Sequence, residues 1–79
     1  MEKAKYTLKI LYDNKEGGMF SLSEIFEEKS EPITLKEQKE IVEFLQAKGY
    51  AIFQGSLSNG YRGALTQKGI EFVELNLLK

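Results

Sequence analysis

Arg62 is the one guanidinium in this 79-residue chain, and it stands beside Tyr61 in the stretch Tyr61 to Gly69, YRGALTQKG. A guanidinium there suits a phosphate or a base edge. It suits a solvated hairpin position equally well, and the residue alone leaves both readings open. Lysine and arginine together number 11 against 12 carboxylates, for a net charge of -1. That balance exerts no global pull toward nucleic acid or anionic membrane. The chain has no histidine and no cysteine. A Ser-His or Cys-His nucleophile pair is therefore excluded within it, together with the commonest general base. Disulfides and thiolate metal sites are excluded as well. A zinc site would need carboxylates alone, against that metal's preference for nitrogen and sulfur. The glutamates fall on polar helix faces without a convergent partner. The chain reads as a non-enzyme with no cofactor and no metal.

The elements that position Arg62 follow from composition and punctuation. Apolar residues make up 42% and charged residues 29%, ordinary values for an ordered globular chain. Residues 1–79 read as a single domain without repeats or linkers. There is no long apolar run and no secretory signal in MEKAKYTLKI, so a cytoplasmic protein away from membranes is expected.

Ala4, Leu8, Leu11 and Tyr12 recur at helical spacing and predict a helix over 4–13, ended by NKEGG at Asn14 to Gly18. Ser21 and Glu24 form the pattern of a capping box, with Phe20 and Ile25 at staple spacing, so a short helix is expected from Leu22 to Lys29. Pro32 prevents its continuation. Thr34 and Glu37 form a second box before a helix reaching Lys48, with Leu35, Ile41, Val42, Phe44 and Leu45 as its apolar face. Gly49 stops that helix.

Tyr50 to Gln54 then reads as a strand, and Tyr61 to Leu65 as its antiparallel return. The connection is either a tight Asn59-Gly60 turn or a longer loop from Gly55 to Gly60. Met19–Phe20 is a candidate third strand. Thr66 caps a last helix from Gln67 to about Leu78, and Gly69 is expected to let that helix lie close to the backbone beneath it.

The order helix, helix, helix, hairpin, helix resembles the winged helix-turn-helix superfamily over nearly the whole chain. The likeness is most specific between Phe44 and Gly69. There FLQAKGY ends the third helix in Leu-x-x-x-Gly-aromatic, and the hairpin returns into Leu65-Thr66-Gln67-Lys68-Gly69. The resemblance implies an α+β fold, mainly α: a three-helix core, a β-hairpin wing and a C-terminal helix. It also implies binding to double-stranded DNA by a transcription-regulator-like domain without a cofactor. The third helix would enter the major groove with Thr34, Lys36, Glu37, Lys39 and Glu40 facing it, and Asn59, Tyr61 and Arg62 would form the wing tip.

Charge by segment favours the other reading, a protein-interaction module on the same scaffold. Residues 21–33 set Lys29 against Glu24, Glu27, Glu28 and Glu31 and sum to -3, while residues 34–49 sum to zero. Lys36–Glu40 and Lys39–Glu43 are at i,i+4 spacing, as on a solvated helix face. The first and last helices carry more apolar residues than one face needs: Tyr6, Ile10, Phe72, Leu75 and Leu78. Such excess marks a subunit contact, so a homodimer is expected.

Overall fold

A computed structural model describes residues 2–28, 33–56 and 58–78. The expected helix end at Lys29, the break at Pro32 and Leu57 of the hairpin loop lie outside them. Helix α1, Glu2–Asp13, buries Ala4, Thr7, Leu8 and Leu11, an i, i+3, i+4, i+7 stripe. Tyr12 stays half-buried beside that stripe, and its hydroxyl donates to Glu74 at 2.9 Å. A 3-10 turn, Lys15–Gly17, closes the helix where NKEGG predicts a stop.

Strand β1, Phe20–Ser21, leads directly into α2, Leu22–Glu28. Leu22, Ile25 and Phe26 of α2 are fully buried. The Ser21–Glu24 box is not formed among the described residues. Ser21 is instead the last residue of β1, paired with Arg62 across the sheet.

Helix α3, Leu35–Ala47, opens with the expected box. The Thr34 hydroxyl accepts from the Glu37 N–H at 3.1 Å, and the Thr34 N–H donates to Glu37 Oε1 at 3.2 Å. It closes in a Schellman turn: Gly49, at φ +77°, donates to the Gln46 carbonyl, and Tyr50 donates to the Leu45 carbonyl, both at 3.0 Å. Its buried stripe is Gln38, Ile41, Val42 and Leu45. Leu35 and Phe44, expected in the core, lie on the flanks of that stripe and are exposed. A polar residue, Gln38, takes the first core position instead.

Strands β2, Ala51–Ser56, and β3, Gly60–Leu65, pair antiparallel from Ala51↔Leu65 to Ser56↔Gly60. The connection is therefore residues 57–59, between the two loop lengths considered. The sheet order is β1-β3-β2, which makes β3 the central strand and confirms a third strand, at Phe20–Ser21. On the outer edge of β2, the Phe53 N–H donates to the side-chain oxygen of Gln46 at 3.1 Å.

Helix α4, Gln67–Asn76, ends just before the expected Leu78 and buries Gly69 and Val73. Thr66 caps it by accepting from the Gly69 N–H at 3.1 Å, and the same hydroxyl donates to the Gly49 carbonyl at 2.6 Å. Gly69 packs so tightly that a Cβ there would stand 1.9 Å from the Tyr50 carbonyl oxygen. The architecture is α+β and mainly helical. Its core lies between the inner face of a small sheet and the buried stripes of four helices.

Candidate nucleic-acid interface

The first two turns of α3 present Thr34, Lys36, Lys39 and Glu40 on the surface. The helix amphipathicity fixes this, because the opposite stripe is buried. Thr34 is committed locally, its hydroxyl capping α3. Glu37 is committed as well. It closes the capping box and pairs with the Lys3 ammonium of α1, the one ion pair among the described residues. The hydrogen bond from Lys3, followed by that from the Thr34 N–H, holds the Glu37 carboxyl below its ordinary range. Glu37 therefore does not stand free to face a groove. Lys36 and Lys39 are exposed, and neither is within ion-pair distance of Glu40 or Glu43. The i,i+4 pairs suggested by the spacing do not form, as is common for fully solvated charges that gain little from contact.

Arg62 does not occupy a hairpin tip. It lies in the middle of β3, flanked in register by Ser21 on one side and Gln54 on the other. With Gln54 and Arg62 both exposed, this row belongs to the outer face of the sheet. Asn59 does lie in the turn, exposed, with its N–H donating to Ser56 Oγ at 3.2 Å. Tyr61 begins the inner row and packs half-buried against the core.

Gln38 joins these pieces. Buried to 2% exposure, it donates from Nε2 to Ser23 Oγ at 3.2 Å and accepts on Oε1 from the Tyr61 N–H at 3.3 Å. One side chain thus bridges α2, α3 and β3. All its polar contacts are to protein groups, which is what a buried amide requires. The sequence carries a signal for it, because residue 38 stands at i-3, i-4 and i-7 of Ile41, Val42 and Leu45. Lys3 carries no such signal; its pairing with Glu37 is a long-range contact.

The residues expected at a subunit contact divide into two sets. Tyr6, Ile10 and Phe72 pack against the chain's own core. Tyr6 meets Phe26 with ring centroids 5.6 Å apart, and Phe72 stacks on Tyr50 at 4.4 Å. Leu75 and Leu78 remain exposed, at 63% and 51%. No helix among the described residues is long and apolar enough to cross a membrane. Compared with family models, curated proteins and solved structures, the chain matches none.

Proposed function

We propose that this chain is a winged helix that binds duplex DNA through the first turns of α3, with the β2–β3 hairpin as its wing. The observation that carries the reading is the Gln38 bridge. It ties α3 to β3, so that the helix carrying Lys36 and Lys39 is joined to the strand from whose outer face Arg62 projects. A helix and a hairpin in fixed relation are what a major-groove reader with a backbone-touching hairpin needs. Lys36, Lys39 and Arg62 supply phosphate contacts and Asn59 reaches from the turn. Thr34 and Tyr61 contribute by position, one capping the helix and the other anchoring the strand.

With about three phosphates neutralised, log affinity should fall with log salt at a slope of roughly -2 to -3. The test is a titration with generic duplex DNA at two salt concentrations. Arg62→Ala should reduce the slope by about one. No binding at low salt would overturn the reading and favour a protein partner. That second reading has its own support in the charge-balanced surface of α3, where Lys36, Lys39, Glu40 and Glu43 are all exposed, and in the exposed Leu35. In either case the proposed state is a homodimer, now resting on Leu75 in the last turn of α4 and Leu78 just after it.

A further inference from the structure

A cleft of about 230 Å³ opens between α1, the end of α3 and α4, away from the proposed DNA surface. Its floor is Leu8 of α1, and its walls are the rings of Phe44, Tyr50 and Phe72. Tyr50 and Phe72 are stacked at an interplanar angle of 23°, and the Schellman turn fixes where Tyr50 stands. Two of the three walls are thus set by backbone geometry and packing, while the third ring, Phe44, stands exposed at the rim. Lys5 and Lys48 also line the cleft, and no carboxylate does. Lys48 Nζ lies 5.8 Å from the Phe44 ring centroid. Just beyond the lining, Lys68 Nζ lies 5.7 Å from the centroid of Tyr50. None of the three ammoniums has an ion-pair partner among the described residues.

We infer that this cleft binds a small aromatic carboxylate. The ring would lie against Phe44, Tyr50 and Phe72, and its carboxylate would accept from Lys5 and Lys48. Charge complementarity selects the occupant: cations gathered at an aromatic-walled opening with no acidic neighbour favour an amphipathic anion. The volume falls below the usual range for drug-sized ligands, which restricts the occupant to one or two rings. On α3 the lining residues Phe44 and Lys48 lie about 15–21 Å along the helix from Thr34. The cleft shares no residue with the proposed DNA surface, so the two readings can fail separately.

The test is an amide-resolved NMR titration of the full chain with naphthalene-2-carboxylate and its neutral isostere naphthalene-2-carboxamide. Saturable shifts should appear around Lys5, Phe44, Tyr50 and Phe72, with the acid binding at least about tenfold tighter than the amide. Lys5→Gln combined with Lys48→Gln should abolish that preference. Both lysines are exposed, so the variant should keep its fold, which its spectrum reports directly. Equal affinity for acid and amide would overturn the proposal, as would no saturation by about 5 mM. Shifts of the same amides with protein concentration alone would assign the cleft to a second copy and also overturn it.

Discussion

Gly69 sits where two backbones meet, and two effects oppose each other there. Alanine in the first turn of α4 would gain about 1 kcal/mol in helix propensity. Its Cβ would also stand 1.9 Å from the Tyr50 carbonyl oxygen and 2.8 Å from its carbon. That carbonyl already accepts the Thr66 N–H at 3.0 Å, so it is not free to swing aside. The steric effect should win. Gly69→Ala is expected to lower stability by about 1–3 kcal/mol in urea denaturation, despite its better propensity. A variant as stable as the parent would show that α4 shifts away from the Tyr50 backbone without cost. Gln38 is the complementary case. A buried amide with contacts in two directions leaves unpaired polar groups behind when it is removed, so this residue does more for the fold than its polarity suggests.

At the scale of elements, the start of α3 is where charge and helix stability meet. Glu37 is held below the ordinary carboxylate value of 4.5 by Lys3 and by the Thr34 N–H. A lowered folded-state value means that this contribution is complete above the unfolded value and is lost as pH falls through the folded one. Parent and Glu37→Gln should therefore differ in melting temperature at neutral pH and converge in acid well below 4.5. A gap that persists unchanged in acid would show that it does not come from the ionised Glu37 carboxylate and its pairing with Lys3. This element was legible beforehand because its signal is local: Thr34 and Glu37 are three residues apart, and Gly49 and Tyr50 follow the last turn. The Thr66–Gly69 cap was legible for the same reason. Ser21–Glu24 has the same spacing and fails, because Ser21 is claimed by β3, where it pairs with the distant Arg62. Arg62 was misplaced for a related reason. Whether a hairpin residue lies at the tip or in mid-strand depends on register, and spacing alone leaves the register open. Phe44 and Leu35 read as core by type, yet the face they miss is set by Gln38.

At the scale of the molecule, the radius of gyration is 11.4 Å, against about 11.6 Å expected for a compact domain of this length. A single chain thus reaches the compactness of a folded domain. Tyr6, Ile10 and Phe72 have found partners within the chain, and Leu75 and Leu78 are left exposed for the homodimer proposed above. Sedimentation of the parent should report a dimer. Leu75→Ser combined with Leu78→Ser should sediment at 9.0 kDa with little change in melting temperature. A parent that sediments as a single chain across a concentration series would sink the dimer.

The sheet also bears on edge-to-edge pairing with other copies of the chain. Its two open margins are β1, only two residues long, and β2, where the Gln46 side chain occupies the outward Phe53 N–H. A strand from another molecule finds a margin too short to template on one side and a donor already taken on the other. Edge-to-edge pairing is thereby hindered at both margins, and the self-association proposed above would rest on contacts between side chains.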